Sequence, residues 1–282
     1  MTATTAVRSA IRRAVPFGVR LEILRLRRLP QWIAERHKVA RRSTDDSCQY
    51  SWLLATHNSP LERTPGAVPR GLQDGKEKNV RLAAVLLDGL VIAPGQIFSH
   101  HHALGRPTRR RGFHDGLELR NGSPTGSIGG GLCQVSNSFY WVAVQAGMRI
   151  TERHRHGLDL FPDHERTVPF GCGATVVYNY ADFRFENPLD QPVVLRARVE
   201  DGSFISEIRT KVDPGIVVEV EETEHRFIES PDGWIRENRI TRRFTDGSGT
   251  LMREEEVAHN IGRVLYEPSA ISLQQSAGPR AQ

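Results

Sequence analysis

The spacing of apolar residues predicts helices in the first half of the chain and strands in the second. Val135, Phe139, Val142 and Ala146 recur at i, i+4, i+7 and i+11, one stripe of an amphipathic helix, and Gly147 supplies its stop. Val80, Ala83, Ala84 and Leu87 predict another helix over about 76–88, following a Pro- and Gly-rich loop at 59–75. Nearer the start, Val19, Ile23 and Leu26, widened by Leu21 and Leu24, predict a short helix with Pro16 in its first turn and Pro30 at its end. The stretch 90–98 reads as extended, broken at Pro94-Gly95, and 100–126, dense in Arg, Gly and His, reads as an irregular flap or hairpin.

A period of two governs much of the remainder. Met148, Ile150, Glu152, His154 and His156 share one parity, so a strand here turns both histidines towards the helix it follows. Further strands are expected at 175–180, 183–186 and 193–199, then at 216–220, 235–244 and 251–257, with Thr245-Asp246-Gly247-Ser248-Gly249 as a hairpin turn. The expected fold class is α+β: a central helix presenting a cysteine at its N-terminus, packed on antiparallel sheet, with a basic helical arm before it and a β-meander after it. The corresponding division is an arm at 1–44, a core at 45–200 and a β-rich extension at 201–282.

Candidate chemistry centres on Gly129-Gly130-Gly131-Leu132-Cys133-Gln134. Three glycines deliver Cys133 to a helix start, where unpaired N–H groups and the macrodipole favour a thiolate. Cys133 is the candidate nucleophile and His156, at an open strand end before Gly157, is its preferred partner, with His154 in support. The helix-start N–H groups and Gln134 would hold an oxyanion, and Gly129, Gly130 and Gly131 would let a peptide-like substrate lie close to the sulfur. His100, His101 and His102 with His154 and His156 could be imagined around a metal, but consecutive histidines cannot converge on one ion in a strand. They read as a solvated loop, and neither metal nor cofactor is expected. Cys172 could approach Cys133 as a reversible disulfide, but reads first as a tolerated small residue.

The net charge of +5 is local: residues 1–42 carry eleven bases against two acids, a net of +9, and the rest of the chain carries −4. A mildly acidic body with a basic arm, lacking zinc-finger or RNA-recognition signatures, argues against nucleic acid as a partner. The arm, residues 8–42, could lie on an anionic membrane surface or pack its apolar side on the body with arginines in water, and packing is the expectation. No secretory signal is visible, the most apolar run (82–93) is cut by Asp88, and three cysteines suit a reducing compartment. A cytoplasmic location is expected, with peripheral contact at the inner membrane face as the arm's other option.

Several linked motifs give the chain a family resemblance. Ala93-Pro94-Gly95-Gln96-Ile97-Phe98-Ser99, Gly105 to Gly112-Phe113, Gly129 to Ser136, Glu152-Arg153-His154-Arg155-His156, Val168 to Val176, and Asp182 to Asn187 resemble the VanW family over about residues 45–200. The family takes its name from a gene in vancomycin-resistance clusters, so the resemblance implies a role in cell-wall precursor metabolism or glycopeptide resistance. Where the family commonly has Asp before Ala-Thr-Val, this chain has Gly173; Asp182, where the family pattern also carries Asp, is the nearest replacement for an acid orienting the histidine. Cys, then His, then Asp is also the chain order of the transglutaminase-like and papain-like thiol enzymes. The leading expectation is cysteine-dependent acyl transfer or amide cleavage on a peptidoglycan-type peptide. The alternative is a non-catalytic module gripping a peptide carboxylate at the glycine-rich helix start, aided by Arg109, Arg110 and Arg111.

Overall fold

The computed structural model describes residues 17–41, 49–62, 68–120, 123–160, 162–163 and 166–269. Pro16 and Cys48 lie outside them. The arm forms α1 (Phe17–Arg27) and α2 (Leu29–Glu35), followed by β1 (Trp52–Pro60), α3 (Arg70–Leu87), β2 (Val91–Ile92), β3 (Ile97–Ser99) and the short α4 (His100–Leu104). A hairpin of β4 (Asp115–Arg120) and β5 (Ser123–Ile128) leads into α5 (Leu132–Gln145), β6 (Arg149–Glu152) and β7 (Leu158–Asp159). The chain then runs through β8 (Arg184–Glu186), β9 (Val193–Glu200), β10 (Ser203–Thr210), β11 (Ile216–Ser230), β12 (Gly233–Asp246) and β13 (Leu251–Val264).

The fold is α+β, with α5 at its centre. Nine of its residues, from Leu132 to Val144, are buried. Its sides face α3, the antiparallel sheet β1-β10-β9-β2, the small sheet β3-β8-β6 and the start of β11. Phe139 bridges two parts of this core, lying 6.3 Å from Phe98 and 6.0 Å from Phe204 between ring centroids, and Phe98 stacks on Phe185 at 4.9 Å. Burying each such ring removes its apolar surface from water, worth about 2–3 kcal/mol.

The C-terminal meander is longer than its sequence pattern suggested. β11, β12 and β13 form one antiparallel ribbon, and β7 adds to β13 in parallel. Two polar anchors hold the ribbon to the core. Arg242 of β12, buried, donates to Val144 O at 3.0 Å and Met148 O at 2.9 Å, while its Nε donates to Glu255 at 2.6 Å. Further along, Arg236 and Tyr266 converge on the buried carboxylate of Asp159, which also pairs with Arg166.

Several expectations change on folding. α1 ends at Arg27, before Pro30 as expected, but Pro30 then sits in the first turn of a second helix, α2, where a missing N–H costs nothing. β6 stops at Glu152, so His154 and His156 lie beyond the strand rather than on it. Residues 175–180 form a turn, closed by the Val177–Ala181 bridge with Asn179 at φ 52°, instead of a strand. β10 pairs with β1 and β9, so the sheet beside α5 takes in residues up to Thr210. The flap at 100–126 resolves into α4, a 3-10 turn at Arg109–Arg111 and the β4–β5 hairpin.

Replacing Arg242 with alanine strands the Val144 and Met148 carbonyls and the Glu255 carboxylate together. A loss of about 3 kcal/mol in unfolding free energy is expected, read by urea titration.

Candidate functional site

Cys133 occupies the first turn of α5, as its glycine lead-in requires. Gly131, at φ 101°, caps the helix in a left-handed conformation. The glycines, however, serve internal packing. A Cβ on Gly130 would lie 2.0 Å from Gly116 O, one on Gly131 would meet the Lys76 side chain at 2.7 Å, and one on Gly129 would meet Pro107 at 2.8 Å. The space that a substrate was expected to use beside Gly129, Gly130 and Gly131 is filled by the chain itself. Asn79 of α3 completes this junction, donating to Gly130 O at 2.9 Å and to His114 O at 3.0 Å.

Gln134 is committed as well. Its amide donates to Ser59 Oγ and Pro60 O, each at 2.8 Å, which ties α5 to the end of β1 and turns the side chain away from an oxyanion role.

Three layers meet at the cysteine. Residues 173–176 run along the first turns of α5: Ser136 donates to Ala174 O at 2.6 Å, and Ala174 N donates to Asn137 Oδ1 at 2.8 Å. Thr175 N donates to His154 O at 2.7 Å, which places the 153–156 segment on the far side. The Cys133 thiol donates to Val176 O at 3.9 Å. His156 sits beside the same helix face, its Nε2 3.3 Å from Asn137 Oδ1 and its Nδ1 2.9 Å from Thr175 Oγ1. Asn137 is one helical turn beyond Cys133, so His156 is brought to the turn next to the thiol, without a hydrogen bond between them.

His154 points elsewhere. Its Nε2 pairs with Glu152 Oε1 at 2.9 Å, and the same oxygen accepts Asp182 N at 3.0 Å. Burial works against ionised Glu152, but hydrogen bonds from Arg28, His154 and Asp182 N keep its carboxyl below the ordinary value.

Asp182 joins neither His154 nor His156 through its carboxylate. It is fully buried, accepting Ser99 Oγ at 2.6 Å, His101 N at 3.0 Å and Phe183 N at 2.9 Å. The histidine run is therefore not a solvated loop. Ser99 caps α4, and His100 and His101 are buried beside Asp182. His100, His101 and Asp182 present potential ligand atoms within 4.8 Å of one another, the one such cluster found among the described residues. Desolvation pushes both histidines down to about 3, so both are neutral, and His101 Nδ1 accepts Asn179 N at 3.1 Å.

Electrostatics at Cys133 also reverse the expectation from the helix dipole. Burial raises the thiol above its ordinary value of 9.0, and Glu118 adds to this, against a lowering by the backbone of Val176. His156 is lowered from 6.5, by desolvation first and by Arg153 second. Thiol and imidazole are thus both neutral at rest. Cys172 is buried, free and pushed up to about 12 by desolvation. The absence of Asp at 173 has a steric counterpart: a Cβ there would lie 2.6 Å from Asn137 Oδ1. Asn137, four residues after Cys133 and so on its helix face, is the site residue that spacing alone could have exposed; Thr175 and Val176 carried no such signal.

The exposed arginines differ in their commitments. Arg109 pairs with Asp115 at 2.5 Å, and Arg111 donates to Arg106 O at 2.8 Å.

Two outcomes follow. Alkylation of Cys133 at pH 7 is expected to be slower than that of an unfolded cysteine, and its rate should still be rising above pH 9.0; mass spectrometry of the folded protein across pH reads this. Unfolded histidine takes a proton near 6.5, folded His100 only near 3, so stability falls as pH drops through 6.5 and the fall ends near 3. His100→Leu should therefore gain about 2 kcal/mol over the native chain between pH 8 and pH 5 in paired unfolding titrations.

Residues 75–209 match the family described as VanW like protein. The chain is 25% identical over 206 residues to the vancomycin B-type resistance protein VanW of Enterococcus faecalis, covering 72% of this chain and 75% of that protein. It is 33% identical over 133 residues to the uncharacterized protein YoaR of Bacillus subtilis, covering 46% of this chain and 41% of that relative, so it spans less than half of the latter. No solved structure matches. The matched segment contains α5 with Cys133, the 153–156 and 173–176 segments, and Asp182, so this part of the chain is similar to the VanW-like family.

Proposed function

We propose that the protein acts in cell-wall metabolism linked to glycopeptide resistance, as a cysteine-dependent acyl-transfer or amide-cleaving enzyme on a peptidoglycan-type peptide. The substrate class comes from the name of its Enterococcus relative. The observation that carries the chemistry is the meeting of Cys133 and His156 on one face of α5, through Val176, Thr175 and Asn137.

With thiol and imidazole neutral, the pair works by general-base catalysis rather than from a standing thiolate. His156 exchanges the Thr175 hydroxyl for the thiol and takes its proton as sulfur attacks the peptide carbonyl carbon. The resulting oxyanion lies near the N-terminal end of α5, whose dipole favours negative charge. Collapse breaks the C–N bond, and the leaving amine takes the proton from His156. A second amine, or water, then attacks the thioester and regenerates the thiol. His154 and Glu152 stand one step back, holding the 152–156 segment against Asp182 N.

Incubation with a peptidoglycan stem peptide is expected to give an acyl adduct on Cys133 by intact-protein mass spectrometry. Cys133→Ala should abolish the adduct and lower turnover at least a thousandfold, and Cys172→Ala should retain both. Full turnover by Cys133→Ala would overturn the proposal.

A further inference from the structure

The arm packs the opposite way round from a surface helix of ordinary amphipathic design. Its body side is polar. Arg25 Nε donates to Tyr178 O and Arg28 Nη1 to Tyr180 O, each at 2.9 Å, and Arg28 also pairs with Glu152. Asn179 donates back to Arg25 O at 2.6 Å, Glu35 pairs with Arg184 at 2.5 Å, and the Trp32 ring meets Tyr178 edge-on. Arg25, Arg28, Trp32 and Glu35 recur at helical spacing along one face.

The outer face is apolar. Val19, Ile23, Leu26, Leu29 and Ile33 are all exposed, from 42% for Leu29 to 64% for Ile33. Their spacing makes one stripe along α1 and α2. Leaving five large apolar side chains in water is unfavourable, and such a patch marks a docking surface.

Charge identifies what it docks on. Both acids of the arm are already neutralised, Glu22 by Arg25 and Arg106, Glu35 by Arg184. Arg27, Arg36, Lys38 and Arg41 are exposed alongside, and residues 1–42 as a whole carry a net of +9. A second copy docking through the same stripe would bring these cations against each other. An anionic lipid surface instead takes apolar side chains at the acyl boundary and cations among its headgroups.

We propose that residues 19–41 form a monotopic anchor, setting the apolar stripe of α1 and α2 into the interface of an anionic membrane with the flanking cations at its headgroups. No helix among the described residues is long and apolar enough to cross a membrane. The anchor does not depend on the chemistry at Cys133.

The test is co-sedimentation of the full chain with phosphatidylglycerol–phosphatidylcholine vesicles and with phosphatidylcholine alone. Binding is expected on the anionic vesicles and should be lost at high salt. Each cation removed in an Arg27→Gln, Arg36→Gln, Lys38→Gln series should weaken it about fivefold. Ile23→Ser with Leu26→Ser and Ile33→Ser should abolish binding while leaving thermal unfolding unchanged, since these side chains touch no core. The proposal falls if the native chain ignores anionic vesicles, if the serine variant binds them equally, or if the native chain is a dimer that the serine variant turns into monomer.

Discussion

The enclosure of α5 is the constraint on which the other features rest. Val135, Phe139, Tyr140, Val142, Ala143 and Val144 have no exposed surface, each contributing about 1–3 kcal/mol of burial. A helix enclosed on so many sides needs close approaches at both ends. At its start, Gly130 lies against the backbone of Gly116, closer than any Cβ would allow. At its end, Gly147 turns out at φ 74° beneath Phe244, and Arg242 takes up the Val144 and Met148 carbonyls. The glycine triplet is thus a packing device first, and its effect on function is to fix where Cys133 stands.

That position sets two effects in opposition. The helix N-terminus favours a thiolate by a few tenths to about 1 kcal/mol at an exposed site. Burial of the sulfur opposes this and prevails, raising the thiol, while the same desolvation lowers His156. Both shifts favour the neutral pair, so the chemistry depends on proton transfer within a hydrogen-bonded layer. Asn137 organises that layer by accepting Ala174 N and facing His156 Nε2, and its amide takes up the volume into which a side chain at 173 would project.

The arm and the buried histidines belong to one polar junction. The 177–181 turn, tight enough to hold Asn179 at positive φ, offers its carbonyls outward to Arg25 and Arg28 and its Asn179 N–H inward to His101. Two guanidinium groups make stronger hydrogen bonds to those carbonyls than apolar contacts could replace. This is why the arm presents its arginines to the body and its leucines and isoleucines to the outside.

Much of the architecture was legible in the sequence, because helix and strand periods survive wherever one face is buried. The α5 stripe, its stop at Gly147, the α+β class and the meander follow from local spacing and turn chemistry. So did the delivery of Cys133 to a helix start, since three glycines before a helical pattern leave little else. What tertiary structure decided were the features that depend on which groups meet across the chain. A strand pattern through His156 could not show that pairing with β8 ends at Glu152, and alternation at 175–180 could not show a turn closed by the Val177–Ala181 bridge. Three consecutive histidines look solvated until Ser99 and Asp182 supply a cap and a buried acceptor more than eighty residues apart in sequence. An amphipathic pattern identifies two faces but not which one the body takes, and that choice fell to carbonyls about 150 residues downstream. The period of apolar residues is a local property of the chain; hydrogen-bond partners and desolvation are properties of the whole fold.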